Sequence, residues 1–337
     1  MPRKARIDAP GALHHIIARG IEKKPIFHDD NDRLNFLERF GTILDETGTP
    51  CLAWALMPNH VHLLLKTGLA PISKVMRRLL TGHAQQFNRR HRRHGHLFQN
   101  RYKSFLCEEE TYLKELVRYI HLNPVRGGGV RNMKQLKRYP FCGHGTLMGA
   151  LEYTWQDAPS VLKRFGKNIG EARERYSLFV SDGVSMGRRP ELVGGGLIRS
   201  VGGWSELKAL RDTGRHVFSD ERILGSSDFA EFALMHAREQ LDKEAMAKAA
   251  GLDLEMVTEA VSHLFDQAPD LIRSASRKGT VARTRSLICW FAVERLGIRA
   301  VEVAKRLDLT PSSVSKLVSR GRVDPLRQKV ETMLLER

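Results

Sequence analysis

The run Met57-Pro58-Asn59-His60-Val61-His62-Leu63-Leu64-Leu65 leaves the chain few ways to fold around it. As a β-strand its side chains alternate with a period of two, so His60 and His62 point one way while Val61, Leu63 and Leu65 point the other. One face of the sheet must then rest on a hydrophobic core, and the other carries two imidazoles. Neutral imidazoles with open positions beside them suit a divalent metal that also takes substrate. Two ligands are too few, so a third oxygen or nitrogen donor is expected from elsewhere in the chain.

The surrounding sequence alternates strands and helices. Leu13 to Ala18, with Ile16-Ile17, reads as a strand closed by Arg19-Gly20. From Asp30 to Asp45 the spacing of Leu34, Leu37, Phe40 and Leu44, widened by Phe36 and Ile43, predicts an amphipathic helix opened by Asp29-Asp30. Cys51–Met57 and His60–Leu65 read as two strands joined at Pro58-Asn59. Ile72 to about Arg90 has helical spacing, Leu97–Leu106 reads as a strand, and Glu108-Glu109-Glu110 opens a helix that Pro124 and Gly127-Gly128-Gly129 should stop near Leu122. This order implies an α+β fold, a ferredoxin-like antiparallel sheet covered by helices, over residues 1–150. Residues 151–219, with seven glycines between 182 and 203, read as a linker with a flexible connector. Residues 220–337 read as an all-α module.

The helix before Pro124 holds the second candidate group. Tyr119 and Asn123 are separated by four residues and share a helix face. An Asn carbonyl can ligate a hard cation, and a tyrosine hydroxyl can act as a nucleophile, although a free phenol has a pKa of about 10 and needs help to deprotonate. His121 lies about 200° round the helix from Tyr119 and belongs to another face.

The chain is strongly basic, with 55 Lys and Arg against 38 Asp and Glu and a formal charge of +17 in 337 residues. Such an excess marks a polyanionic partner. No apolar run approaches the roughly 20 residues of a spanning helix, no signal-peptide core follows Met1, and the four scattered cysteines give neither a zinc knuckle nor a disulfide framework. A reduced, cytoplasmic protein that meets nucleic acid and no membrane is expected. Arg77, Arg78, Arg89, Arg90, Arg101 and Lys103 fall in a stretch from 77 to 103 without one Asp or Glu, interleaved with Phe87, Phe98 and Tyr102. Cations beside stacking rings are what single-stranded nucleic acid requires, so these six are expected to contact DNA.

Near the C-terminus, Ile298 to Gly321 reads as a helix-turn-helix, with Asp308-Leu309-Thr310 as the turn and a second helix from Pro311. Val314 and Leu317 would face inward, leaving Ser312, Ser313 and Lys316 for groove contacts. Many such units carry Gly in the turn, where this one has Asp308.

Residues 12 to 143 resemble the single-tyrosine HUH transposases, particularly the REP-associated tyrosine transposases. The stretches that carry the resemblance are His14-His15-Ile16-Ile17-Ala18-Arg19-Gly20, Asp32-Arg33-Leu34-Asn35-Phe36-Leu37, Leu56-Met57-Pro58-Asn59-His60-Val61-His62-Leu63-Leu64, Gly95-His96-Leu97-Phe98-Gln99-Asn100-Arg101-Tyr102-Lys103-Ser104, Tyr112-Leu113, and Arg118-Tyr119-Ile120-His121-Leu122-Asn123-Pro124-Val125-Arg126. The resemblance implies a metal-dependent endonuclease that cleaves and rejoins single-stranded, hairpin-forming DNA. It implies Mg²⁺ or Mn²⁺ on His60 and His62, with Asn123 as third ligand. It also implies Tyr119 as the nucleophile that forms a 5′-phosphotyrosyl link. Val281 to Leu307 resembles the DNA-binding domain of the DnaA initiator, which makes duplex DNA a candidate partner of the C-terminal module. Monomer and homodimer, and a tyrosine acting in cis or in trans, stay open. The rival readings are a non-catalytic DNA-binding regulator derived from a transposase and an RNA-binding protein built on a ferredoxin-like sheet.

Overall fold

Successive side chains point to opposite sides in β1 (Leu13–Arg19), β2 (Cys51–Met57), β3 (His60–Lys66) and β4 (Lys103–Cys107), and most of them are buried, so both faces of each strand can be covered. The structure, a computed structural model, describes residues 7–8, 11–68, 70–187, 189, 192, 220, 222–235, 251–274 and 279–335. These residues fall into two compact units, 1–234 and 235–337.

In the first unit the sheet order is β2-β3-β1-β4-β5. The first four strands pair antiparallel, in the order a βαββαβ chain gives a ferredoxin-like sheet. The fifth, Ile223–Leu224, pairs parallel to β4, so the sheet is mixed rather than purely antiparallel. Those two residues lie within the stretch expected to be all-helical. They are too short to form a sheet alone and are held by the exposed edge of β4, with Leu106 and Glu108 donating to the carbonyls of Arg222 and Leu224.

One sheet face packs against α1 (Asp30–Thr47) and α2 (Ile72–Arg90), burying Ile16, Val61, Leu63 and Leu65 with Phe36, Phe40, Val75 and Leu79. The other face packs against α3 (Glu109–Arg126), burying Leu13, Ala53, Leu64 and Phe105 with Leu116, Val117 and Ile120. Helix α1 starts where Asp29 accepts from the Asp32 amide and ends at Gly48 in the left-handed region (φ 55°). Leu34, expected on its buried stripe, is exposed; Phe36, Leu37, Phe40, Ile43 and Leu44 suffice to cover the sheet.

Two elements depart from the sequence reading. The strand expected from Leu97 begins only at Lys103, and the stretch before it touches β1 through a single bridge from Phe98 to Gly20. Helix α3 runs through Pro124 to Arg126 instead of stopping near Leu122. Pro124 has no N–H for the Ile120 carbonyl, and the Asn123 side chain fills the gap by donating Nδ2 to the carbonyls of Tyr119 (3.1 Å) and Ile120 (3.4 Å).

The expected boundary at residue 150 falls inside the first unit. After α4 (Met133–Arg138) and α5 (His144–Leu147) the chain continues through α6 (Ala158–Leu162) and α7 (Ile169–Asp182). Val161, Leu162, Phe165, Tyr176 and Val180 join the core under α3, so apolar packing carries this unit well past the expected boundary. The glycine-rich connector of 182–203 lies largely outside the described residues.

The second unit is helical where described: α8 (Leu254–Leu264), α9 (Pro269–Arg273), α10 (Gly279–Glu294), α11 (Ala300–Arg306), α12 (Pro311–Arg322) and α13 (Arg327–Leu335). Leu287 to Ala292 are buried all round, which makes α10 the central helix of this bundle. Helices α11 and α12 flank a turn in which Asp308 adopts φ 53°, doing the work of the expected glycine. Thr310 caps α12 by accepting from the Ser313 amide.

Candidate active site

The register of the central strands brings the chemistry to one face. Ile17 pairs with His62 and Arg19 with His60, and directly paired residues share a face. His15, two positions before Ile17, is therefore on this face too, whereas His14 is on the other, with Nδ1 3.2 Å from the Ser104 hydroxyl. The His15 and His62 rings stack with centroids 5.3 Å apart.

Hydrogen bonds fix which nitrogen of each imidazole is left with its lone pair. The Asn59 amide is oriented by donating Nδ2 to the Lys23 carbonyl (2.9 Å), so its oxygen faces His60 Nδ1 at 2.6 Å. An amide oxygen only accepts, so His60 Nδ1 carries the proton and Nε2 is a free lone pair. His15 Nδ1 meets the Leu192 carbonyl at 3.1 Å and must donate, which leaves Nε2 of a neutral ring to accept from His62 Nδ1 at 3.0 Å. His62 Nε2 then carries its lone pair as well. Burial, with Arg19 adding to it, holds His60 down to about 4. Burial also pushes His62 well below its ordinary value, aided by His15, His60 and Arg19. Both rings are neutral at pH 7, the form that binds metal.

The pair fits a shared divalent ion. The His60 and His62 centroids are 5.0 Å apart with planes at 76°. Two imidazoles on one ion at about 2.1 Å would place their centroids at roughly that separation. Among the described residues no group of three or more His, Cys, Asp or Glu could hold a metal. An outer partner that locks the tautomer of each ligand, as Asn59 and His15 do, is usual around metal-binding histidines.

Tyr119 reaches this face from α3. Its half-buried ring lies edge-on to His62 and to His15, with centroids 5.6 and 5.9 Å away. The last turn of α3 comes down over the start of β3: a Cβ on Gly127 would sit 2.4 Å from Met57 Cε, and Met57 is the cross-strand partner of His60. Asn123 lies in the turn before. With Nδ2 committed to the helix backbone, its oxygen is the side-chain atom that could ligate. His121 faces away, as its angle on the helix requires, with Nδ1 2.7 Å from the Tyr176 hydroxyl.

The expected DNA-contacting residues separate into groups. Lys103 is exposed and pairs with Ile17, so it stands on the site face in one row with His62, about 10 Å away across two strand spacings. Arg77, Arg78, Arg89 and Arg90 belong to α2, which covers the opposite face of the sheet. Of these, Arg78 pairs with Glu46 at 2.5 Å, and Arg90 grips Asp29 (2.6 Å) and Asp32 (2.5 Å), so their charges are matched on α1. Arg77 and Arg89 are exposed, and so is Arg101, which follows the loop whose Gln99 amide donates to the Arg19 carbonyl. In the second unit Ser312 and Lys316 are exposed, while the Ser313 hydroxyl is 2.8 Å from that of Thr310. Val314 faces inward as expected, and Val318 takes most of the place foreseen for Leu317.

Sequence reading passed over His15, Asn59 and Arg19. The adjacent histidines of β1 were visible, but only the pairing register says which of them faces the site. Asn59 stood beside His60 in the Pro58-Asn59 turn, and Arg19 was read as the end of a strand. Exposed Arg19 is the cross-strand partner of His60 and bears on its ionisation.

Comparison with known proteins finds a match over the first part of the chain. Residues 10–123 match the family model described as Transposase IS200 like. No curated protein matches the chain. A solved structure described as a REP-associated tyrosine transposase bound to a REP hairpin aligns at 16% identity and a TM-score of 0.36, covering 47% of this chain and 98% of that one. Residues 10–123 are thus similar to the IS200-like transposases, and the rest of the chain lies outside that match.

Proposed function

We propose that the first unit cleaves and rejoins single-stranded, hairpin-forming DNA through Tyr119. The observation that carries this reading is the meeting of the Tyr119 ring with His62 and His15, from a helix and two strands far apart in sequence. The phenol oxygen attacks a phosphodiester, the Tyr–O–P bond forms as the P–O3′ bond breaks, and the departing 3′-oxygen takes up a proton as the phenol gives one up. A 5′-phosphotyrosyl link and a free 3′-OH result. The reverse attack by a 3′-OH rejoins strands, so no nucleotide cofactor is required.

His60 and His62, with Asn123 as the third donor, would hold Mg²⁺ or Mn²⁺, and such an ion supplies Lewis-acid polarisation of the phosphate. Asn59 and His15 keep both Nε2 atoms deprotonated and aimed. Lys103 and Arg19, on the same face, neutralise the backbone of the bound strand. Because Tyr119 meets the histidines of its own chain, the geometry supports a nucleophile acting in cis. Helix α12, presenting Ser312 and Lys316, is suited to duplex DNA, with Ser313 acting through the cap instead of a groove contact.

The test is a labelled hairpin oligonucleotide with Mn²⁺. The wild-type chain should form a covalent adduct, and Tyr119→Phe should abolish it while retaining hairpin binding. Adduct persisting in Tyr119→Phe removes this nucleophile. Hairpin binding with no adduct in the wild type favours the non-catalytic regulator, and tighter binding of matched RNA favours the RNA-binding reading.

A further inference from the structure

Tyr119, Asn123 and Arg126 follow one another at spacings of four and three residues. At 100° per residue they lie within about 60° on α3. The Arg126 guanidinium carbon stands 5.7 Å from the centroid of the Tyr119 ring. Its Nη2 donates to the Gly183 carbonyl at 3.0 Å, which pins the plane of the group. Its Nε and Nη1 are buried and, among the described residues, find no acceptor.

Among the described residues the charge around it is unbalanced. Arg118 and Arg189 bear electrostatically on Arg126, and the carboxylate beside them, Glu115, is engaged by both, at 2.6 Å and 3.1 Å. A guanidinium held in place with two donor nitrogens that meet no acceptor among the described residues, in a patch where the described cations outnumber the described carboxylates, is shaped to receive an anion. Leaving buried donors unsatisfied is unfavourable. An acceptor that arrives only as the reaction proceeds therefore strengthens its hold at that stage.

We propose that Arg126 is the anchor for the phosphate that Tyr119 captures, its Nε and Nη1 donating to the non-bridging oxygens of the phosphotyrosyl link. This deepens the reading of Tyr119 as nucleophile and rests on it. Before capture the neutral phenol offers the guanidinium only its ring face. After capture the anionic diester satisfies both donors, so Arg126 favours the covalent state over the free one. Two residues of one helix then divide the work, Tyr119 making the bond and Arg126 holding what is bonded.

The experiment uses the full-length chain with phosphotyrosine installed at position 119, the phosphomonoester standing in for the captured diester. The Arg126 Nε–H resonance, identified by its loss in R126K, should move downfield, and its exchange with solvent should slow by about tenfold, as expected for one charge-assisted hydrogen bond. A resonance that is the same with and without the phosphate overturns the proposal. A second arm measures covalent adduct with labelled hairpin and Mn²⁺. R126Q should lower the covalent fraction by about tenfold, with a smaller change in hairpin affinity, and R126K, which keeps the charge without the fork, should fall between. Equal adduct in wild type and R126Q also overturns it and leaves Tyr119 standing. Absence of adduct in the wild type removes the nucleophile, and the phosphotyrosine arm then still decides whether Arg126 grips a phosphate. That arm needs R126K only to assign the resonance, and reads the phosphate response on the unsubstituted Arg126.

Discussion

A lone pair of electrons is the smallest thing the candidate site depends on. His60 and His62 can bind an ion only through Nε2, and each Nε2 is free because the other nitrogen is committed: one to Asn59, the other to His15. Asn59→Ala and His15→Ala should therefore weaken Mn²⁺ binding by roughly 10–100-fold, the usual cost of losing a partner that orients a ligand. Titration of the free protein with Mn²⁺, followed by electron paramagnetic resonance, reads this without DNA. His14→Ala serves as the comparison, because that ring lies on the other face of the sheet and should leave Mn²⁺ affinity unchanged. Unaltered affinity in both Asn59→Ala and His15→Ala would rule out the tautomer chain as the basis of the site.

Elements set where those atoms can meet. Helix α3 delivers Tyr119, Asn123 and Arg126 only because it survives Pro124, and the Asn123 side chain supplies the hydrogen bond that proline removes. Asn123→Ala should destabilise the first unit by about 1–2 kcal/mol. Pro124→Ala, which restores an N–H for the Ile120 carbonyl, should recover part of that loss in the double variant. A urea double-mutant cycle gives the coupling, and strict additivity would contradict this account. In the second unit the close approach of α12 to α10 is made by a missing side chain. A Cβ on Gly321 would lie 2.2 Å from the Ser286 carbonyl oxygen and 2.6 Å from Trp290 Cβ. Gly321→Ala should cost about 1–3 kcal/mol through forced separation of the two helices, seen as a lower thermal midpoint of the second unit.

At the scale of the whole molecule, acid should act through buried imidazoles. His83, 2.8 Å from the Ile26 carbonyl, is held down to about 4 by burial, and His144, 2.7 Å from the Tyr176 hydroxyl, is held to about 4 for the same reason. Burial keeps His121 well below its ordinary value too. These folded-state values lie under the unfolded value of about 6.5, so below pH 6.5 the unfolded chain takes up protons that the folded chain refuses. Stability contributed by neutral imidazoles is complete above about pH 6.5 and is lost as the pH falls towards 4. Each of His83 and His144 contributes up to about 3 kcal/mol to that loss. Asp29, whose carboxylate is held below its usual range by Arg90, loses its contribution only at lower pH, beneath that window. Denaturant midpoints between pH 7.5 and 4.5 should fall steadily, and His83→Gln should flatten the slope.

Much was legible because it is local. The period of two in β3 declared which residues of His60–Leu65 face together, the four-residue spacing joined Tyr119 to Asn123, and the excess of Lys and Arg declared a polyanion. Those properties follow from backbone geometry and charge, which the sequence determines by itself. The tertiary structure alone decided that His15 rather than His14 stands beside His62, since that is a matter of strand register. It also decided that the arginines of α2 lie behind the sheet, where Arg78 and Arg90 meet carboxylates of α1. And it decided that Arg126 ends over Tyr119, because a helix expected to break at Pro124 instead runs on. Register, layer and helix length depend on contacts between residues distant in sequence, and no local pattern encodes them.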